Sequence, residues 1–262
     1  MSKKLARITN MEQILQERGI VRIKEMADLL DVSEMTIRRD IRQMVQEGSV
    51  KNLNGVLISP TETSFFTVSQ KYDLLKKSMD QNREKEAIGA LAASRIHAGD
   101  SIMLDAGSTV EQVARHAPDN VKFEVMCLTL NTLQCLLDKP LATIALAGGY
   151  YQPNTQMFIS DDTIHFIRSI RANKLFLSAA GIHEDLGISC ANPYEVTAKK
   201  TMLQSARHHI LVADSRKFGV IRSSYFCNLE DIDEIITDEC LPDKWVNLIE
   251  SRNILLHRVP IK

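Results

Sequence analysis

The stretch VSEMTIRRDIRQM, from Val32 to Met44, decides how the first part of this chain folds. At the helical step of about 100° per residue, Ile37, Ile41 and Met44 fall on one side and form an apolar seam. The other side is polar and basic, and it presents Met35, Arg39 and Arg42, flanked by Thr36, Arg38 and Gln43. The pattern predicts a helix that buries one face and offers a cationic face to a partner.

Two shorter helical patterns precede this helix. Apolar residues recur at helical spacing from Ile8 to Leu15, and a second set lies in KEMADLL before the short turn Asp31-Val32. Ser33 then suits the N-cap position, because its hydroxyl can accept a hydrogen bond from an unpaired backbone N–H of the first turn. The order is helix, helix, tight turn, helix.

The residues after this third helix favour a small hairpin. Gly48 is expected to end the helix, and SVKNLNGVLI places apolar residues on both sides of Asn54-Gly55, a frequent hairpin turn pair. Three helices followed by a hairpin predict a winged helix-turn-helix.

A helix of this kind can enter the major groove of double-stranded DNA. Arginine pairs with guanine edges or phosphates, and threonine and glutamine can contact bases or backbone. An arginine-rich face can also serve solubility alone, but the preceding helix and tight turn favour DNA binding. The predicted DNA-binding residues are Ser33, Met35, Thr36, Arg38, Arg39, Arg42, Gln43 and Lys51.

The composition of the chain limits the classes of protein to which it can belong. The 262 residues are 44% hydrophobic and carry a formal net charge of −1, which suits two globular domains and excludes a protein that is basic throughout. The five cysteines are scattered without CxxC spacing, so we expect reduced thiols, no metal and no cofactor. No segment has the apolar length of a signal peptide core or a membrane span, so we expect a cytoplasmic protein without a membrane partner.

The rest of the chain predicts an α/β domain. We expect residues 1–58 to form the DNA-binding domain, 59–82 a linker and 83–262 the second domain. From 84 onward helical and strand patterns alternate, which implies a mostly parallel sheet with helices on both faces. The predicted helices are 84–96, 110–116, 132–137, 163–170, 194–206 and 243–250, and the predicted strands are 101–104, 123–128, 143–146, 174–178, 209–213, 234–236 and 254–257.

One loop of this domain suits an anion. DAGST, residues 105–109, runs from a predicted strand straight into a helix, where small residues and free N–H groups let a phosphate approach the backbone. Small residues also make tight turns with nothing bound. Further along, Glu195 and Lys199 are four residues apart, a spacing that also suits a plain ion pair on a solvated helix.

Several of these motifs, in this order, resemble the DeoR family of bacterial regulators of sugar metabolism over nearly the whole chain. They are VSEMTIRRDIRQM, NREKEAIGALAA, DAGST, LAGG, the E-x-x-x-K of Glu195 and Lys199, and ADSRKFG. The resemblance implies a homo-oligomeric repressor with operator DNA as its partner. It also implies a C-terminal domain that is similar to ribose-5-phosphate isomerase and senses a phosphorylated sugar.

The resemblance also implies roles for individual residues. Asp105, Gly107, Ser108 and Thr109 would hold the phosphate, with Lys85 and Lys217 near it, and the sugar end would be lined by Asn131, Gly148, Glu195 and Lys199. The segments LTLN, LAGGYYQPN and SAAGIH resemble members that regulate deoxyribonucleoside operons, which implies deoxyribose 5-phosphate as the effector. Some positions depart from the family pattern: Lys51 and Asn54 replace the usual Arg and Gly, and Ala180 stands where many members carry Asp.

Two other classes of protein compete with this interpretation. A sugar-phosphate isomerase would need a carboxylate base and a group that stabilises an enediolate, and Glu195 with Lys199 or Asp185 supplies only part of that. An enzyme also gains nothing from a DNA-reading helix, so we expect no catalytic residues. A DNA-binding protein whose second domain only oligomerises would have no use for the DAGST loop.

Overall fold

The computed structural model describes residues 3–18, 20–46, 50–53, 56–58 and 82–261. The chain divides into two compact units, Met1–Lys71 and Tyr72–Lys262. The predicted helix end at Gly48, the turn at Asn54-Gly55 and residues 59–81 of the predicted linker lie outside the described residues. In the part of the chain that is described, no helix combines the length and apolar character needed to cross a membrane.

The first unit is a winged helix-turn-helix, as predicted. Its elements are α1 (Lys3–Arg18), β1 (Ile20–Arg22), α2 (Ile23–Leu29), α3 (Glu34–Gln46), β2 (Lys51–Leu53) and β3 (Val56–Ile58). The strands form an antiparallel sheet in the order β1-β3-β2, so β1 adds a strand that the sequence pattern did not predict. The predicted apolar seam of α3 is buried against side chains of α1 and α2 such as Met11 and Met26.

The first and third helices of this unit are joined by a buried ion pair. Arg7 Nε lies 2.6 Å from Asp40 Oδ2, and the Asp40 side chain is fully buried. A second bond, from Lys4 Nζ to Gln43 Oε1 at 2.5 Å, connects the same two helices. Helix α3 is therefore fixed to α1 by polar contacts as well as by its apolar seam.

The second unit is built on a parallel sheet. The helices are α4 (Asn82–Ala93), α5 (Ser108–Arg115), α6 (Leu130–Leu136), α7 (Asp161–Ser169), α8 (Glu195–Ser205) and α9 (Asp243–Ser251). The seven sheet strands are β4 (Ser101–Leu104), β5 (Phe123–Cys127), β6 (Ala142–Leu146), β9 (Ala172–Ser178), β12 (Ala206–Val212), β14 (Glu234–Asp238) and β15 (Leu255–Val259). They run parallel in the order β15-β14-β12-β9-β4-β5-β6, which confirms the predicted parallel α/β architecture.

Helices cover both faces of this sheet. In β9, Leu175 and Leu177 belong to one apolar cluster while Phe176 belongs to the other, so successive side chains enter opposite layers. The central residues Leu175 to Leu177 are therefore apolar on both faces of the sheet, as is typical of buried parallel strands.

Shorter strands complete the unit, and the sequence patterns did not predict them. They are β7 (Tyr150–Gln152) and β8 (Met157–Ile159), which form a hairpin, and β10 (Gly181–His183), β11 (Gly187–Cys190) and β13 (Ser224–Cys227), which form a small antiparallel sheet. Each has three or four residues, which is too short for alternation to be recognised in a sequence.

Candidate functional site

The exposed side of α3 carries the predicted reading residues. Ile37, Ile41 and Met44 are at most 2% exposed, whereas the arginines of the opposite side are open to solvent. Ser33 caps the helix as predicted, because the backbone N–H of Thr36 donates to Ser33 Oγ at 3.3 Å. The helix thus presents a cationic face without disturbing the core.

Some of the predicted reading residues already have partners within the unit. Arg38 pairs with Glu34 at 3.6 Å, the Thr36 hydroxyl lies 2.9 Å from Ser33 Oγ, and Gln43 accepts the bond from Lys4. Lys51 lies in β2 of the wing. Among the described residues, no hydrogen bond or ion pair engages the side chains of Met35, Arg39 or Arg42.

In the second unit, three neighbouring strands end at one edge and deliver polar residues there. Asp105 follows β4, Ser178 is the last residue of β9, and Asp214 follows β12. These strands are consecutive in the sheet, so their carboxyl ends meet. A crevice at this edge is where open parallel sheets bind ligands.

The predicted anion loop forms the wall of this crevice. Helix α5 begins at Ser108, directly after Gly107, and its first N–H groups have no partner within the helix. Gly107 has φ of 150°, and a Cβ at this residue would lie 2.7 Å from Ser178 Oγ. Only glycine fits here, so the backbone can lie close to whatever occupies the crevice.

The pocket gathers most of the predicted ligand residues. Lys85 from α4 and Lys217 from the turn Ser215–Lys217 bring two positive charges to the side chains and N–H groups at the start of α5. Of the predicted residues, the lining contains Lys85, Gly107, Ser108, Thr109, Glu195 and Lys217. Lysines facing a helix N-terminus make a site for a phosphate-sized anion.

Asp105 and Lys199 lie beneath the pocket and are outside its lining. The Asp105 carboxylate accepts from the Ser178 N–H at 2.9 Å, from the Ser178 hydroxyl at 3.0 Å and from Lys199 Nζ. Both side chains are about 1% exposed. Burial alone would lower the pKa of Lys199, but attraction to Asp105 and Glu195 outweighs it and raises that pKa, so the ammonium stays charged. The ion pair between Asp105 and Lys199 therefore stabilises the conformation of the loop at residues 105–109.

Glu195 is the acidic group of the pocket. Its carboxylate accepts from Asn192 Nδ2 at 2.5 Å and lies 3.8 Å from Lys199 Nζ. Burial raises the pKa of Glu195, although Lys199 and Asn192 act in the opposite direction. The alternative of an ion pair on a solvated helix does not hold, because both side chains are buried. A carboxylate in this place can accept hydrogen bonds from sugar hydroxyls.

Two further predicted residues, in addition to Asp105 and Lys199, are not brought into the lining. Asn131 lies in α6 and donates to Glu111 Oε2 at 2.9 Å, and the Gly148 carbonyl accepts from the Thr163 hydroxyl. Both residues follow predicted strands, but a position after a strand does not by itself determine whether a residue lines the pocket.

The sequence analysis missed part of the lining. Ser178, Ala179, Cys190 and Ala191 all border the pocket. Ser178 and Ala179 end a predicted strand at the ligand-binding edge, so that rule could have identified them. Cys190 lies in β11, which was not predicted, and burial raises the pKa of its thiol to about 12.

The two units together define a class of protein. A winged helix-turn-helix with an open cationic helix, in one chain with an α/β unit whose pocket is suited to an anion, is the architecture of a ligand-responsive DNA-binding regulator. Residues 7–63 match the DeoR-like helix-turn-helix domain, and residues 80–239 match the DeoR C terminal sensor domain. The chain belongs to the DeoR family, and it is a DNA-binding transcriptional repressor with a sugar-phosphate sensor domain rather than an enzyme.

Individual relatives cover nearly the whole chain. The deoxyribose operon repressor of Escherichia coli (strain K12) is 29% identical over 95% of this chain and 96% of its own length. The uncharacterized HTH-type transcriptional regulator YgbI of the same organism is 32% identical over 93% of each chain. The structure of ribose 5-phosphate isomerase A from Methanocaldococcus jannaschii overlays with a TM-score of 0.38 at 13% identity, covering 51% of this chain and 53% of that one.

Proposed function

We propose that this repressor leaves its operator when deoxyribose 5-phosphate occupies the pocket at the start of α5, and that the operon it controls serves sugar or nucleoside catabolism. The observation that carries the proposal is that one pocket is lined by Lys85 and Lys217, by the first residues of α5 with their free N–H groups, and by Glu195. One end of the pocket suits a phosphate and the other suits hydroxyl groups. The name of the E. coli deoxyribose operon repressor supports the choice of sugar.

The phosphate accounts for most of the expected affinity. Each lysine contributes a charge-assisted bond to a phosphate oxygen, and the N–H groups at the N-terminus of α5 add further donors. Ser108 and Thr109, which are 7% and 6% exposed as whole residues, lie at the start of the same helix and carry hydroxyl groups. A sugar without its phosphate would lose all of these contacts and is not expected to act as an effector.

Release from DNA requires that the effector favours one arrangement of the protein over another. We propose that the chain assembles as a homo-oligomer in the cytoplasm, and that without ligand it holds at least two α3 helices at the spacing of operator half-sites. An effector shifts such an equilibrium only by its difference in affinity for the two arrangements. Deoxyribose 5-phosphate would therefore bind the free protein more tightly than the operator complex.

The test is a titration of the full-length protein on a fluorescent operator duplex. Sugar phosphates are compared with unphosphorylated deoxyribose, and release is followed by anisotropy while direct binding is measured by calorimetry. We expect deoxyribose 5-phosphate to release the DNA at the lowest concentration and deoxyribose to have no effect. If ribose 5-phosphate or a hexose phosphate releases it at a lower concentration, the proposed effector is wrong.

Two further results would reject the proposed coupling between effector binding and release from DNA. Tight binding of the sugar phosphate with unchanged affinity for the operator would show that the pocket does not control DNA binding. Binding of no sugar phosphate at all would favour a second domain that only oligomerises. Lys217→Met should weaken effector binding at least tenfold, whereas Arg216→Met, in the same turn but outside the lining, should leave it nearly unchanged.

A further inference from the structure

Met35 is an apolar residue on the exposed, cationic face of α3. It is the second residue of α3 and is 76% exposed, more than any other large apolar side chain in the described part of the chain. It lies on the side of the helix opposite Ile37 and Ile41, so it contributes nothing to the apolar core of the unit. Its exposure has to be explained by something other than folding.

The surroundings of Met35 are basic. It lines a shallow cleft together with Thr36, Arg38, Arg39 and Arg42. Three guanidinium groups around one apolar group disfavour the docking of a second copy of this face, because like charges would be brought together. The same charges favour a polyanion, and they would bring the Met35 side chain against it.

The position of Met35 fits one feature of DNA. In helix-turn-helix proteins, residues near the N-terminus of the recognition helix reach the base edges in the major groove. The apolar group displayed there is the C5-methyl of thymine. Arg39 and Arg42 lie further along the helix, where they can pair with guanine edges or phosphates.

We infer that Met35 reads a thymine methyl group in each operator half-site, and that it is a specificity-determining residue of the repressor. The inference rests on the assignment of α3 as the reading helix. The methyl group and the thioether chain would both leave water on contact. Removal of one methyl from such a contact is expected to lower affinity about three- to fivefold.

The experiment starts by selecting bound sequences from a pool of random duplexes with the full-length protein. Each thymidine of the selected site is then replaced in turn by deoxyuridine, which removes only the C5-methyl group. Wild type should lose about three- to fivefold in affinity at one position in each half-site. Met35→Ala should bind the parent duplex more weakly and show no loss at that position.

Two control variants separate the possible failures. Met35→Leu keeps an apolar side chain and should retain part of the preference for thymine, whereas Arg39→Ala should weaken thymidine and deoxyuridine duplexes equally. If no sequence is selected, the assignment of α3 to DNA reading fails. If a site is selected but no deoxyuridine lowers affinity, or Met35→Ala keeps the wild-type penalties, the inference about Met35 is overturned while DNA reading stands.

Discussion

Lys199 places a positive charge inside the sensor unit, and three groups make that possible. Asp105 and Glu195 supply opposite charges, and the Ser178 carbonyl accepts a third bond at 3.2 Å. A buried ammonium without such partners would lose its proton. The raised pKa of Lys199 means that the pair stabilises the folded state at neutral pH, and that this contribution is lost only as the pH rises through that raised pKa.

Lys199→Met should therefore destabilise the sensor unit. The change strands a buried carboxylate at Asp105, which costs about 3 to 5 kcal/mol of the free energy of unfolding. Urea denaturation followed by the fluorescence of Trp245, the single tryptophan of the chain, would measure the loss in this unit. Lys200→Met, at the exposed next position of α8, should change it by less than about 0.5 kcal/mol. Equal effects of the two variants would contradict the role given to Lys199.

Glu195 predicts a pH dependence of effector binding. Because burial raises its pKa, the carboxylate takes up a proton at a higher pH than an ordinary glutamate as the solution is acidified. Protonation favours the folded state through this group, so stability does not fall, but an acceptor for sugar hydroxyls is lost. We expect the effector affinity of wild type to fall on acidification more steeply than that of Glu195→Gln.

Comparing wild type with Glu195→Gln removes the part of the pH dependence that comes from the phosphate of the effector. The second ionisation of the phosphate, with a pKa of about 6, affects both proteins alike. Calorimetric titrations at several pH values give the ratio of the two affinities. A ratio that stays constant with pH would show that Glu195 does not act through its charge.

At the scale of elements, the junction of β4 and α5 determines where the proposed anion site lies. The strand delivers the chain to the edge of the sheet, Gly107 makes the turn, and the helix starts at once with free N–H groups. No single side chain of the loop could form the proposed anion site, because its donors are backbone N–H groups at the N-terminus of α5.

Gly107→Ala tests this junction. The new Cβ would stand 2.7 Å from Ser178 Oγ in a conformation that favours glycine, so the turn must shift and effector affinity should fall at least tenfold. Gly99→Ala is the matched control, because Gly99 also has positive φ, 82°, but no atom within 4 Å of the added carbon. If both variants bind the effector equally well, the close approach at Gly107 is not required.

The elements also show what the sequence could predict. The apolar seam of α3 and short apolar runs such as Leu175 to Leu177 in β9 predicted the helix-turn-helix and the parallel sheet, because burial dictates those patterns. Strands such as β7 and β10 escaped prediction, since three residues are too few for an alternating pattern to be recognised. The sequence predicted the part of the pocket that is formed by Gly107 and the backbone at the start of α5. It did not predict the directions of the Asn131 and Lys199 side chains, because these depend on packing that a sequence pattern does not describe.

At the scale of the whole molecule, a reading unit and a sensor unit belong to one chain. Among the described residues, the pocket at the start of α5 is lined by the second unit and the cleft on α3 by the first. We therefore expect the two proposed functions to be separable by mutation.

The proposed homo-oligomer predicts a dependence on operator spacing. If two α3 helices are held one helical turn apart or a multiple of it, inserting about five base pairs between half-sites turns one of them to the opposite side of the duplex. Affinity should fall by more than tenfold, and inserting about ten base pairs should restore part of it. Gel-shift titrations of the three duplexes would measure this, and equal affinities would indicate independent binding of single chains.

The ion pair between Arg7 and Asp40 has a consequence for regulation. It closes the junction between α1 and α3, so the third helix cannot swivel about its own axis without leaving a carboxylate stranded in the interior. In the proposed mechanism, the effector would therefore leave the orientation of the guanidinium groups within one DNA-binding unit unchanged. It would instead change the spacing of two rigid DNA-binding units in the proposed homo-oligomer, so that they no longer reach their grooves together.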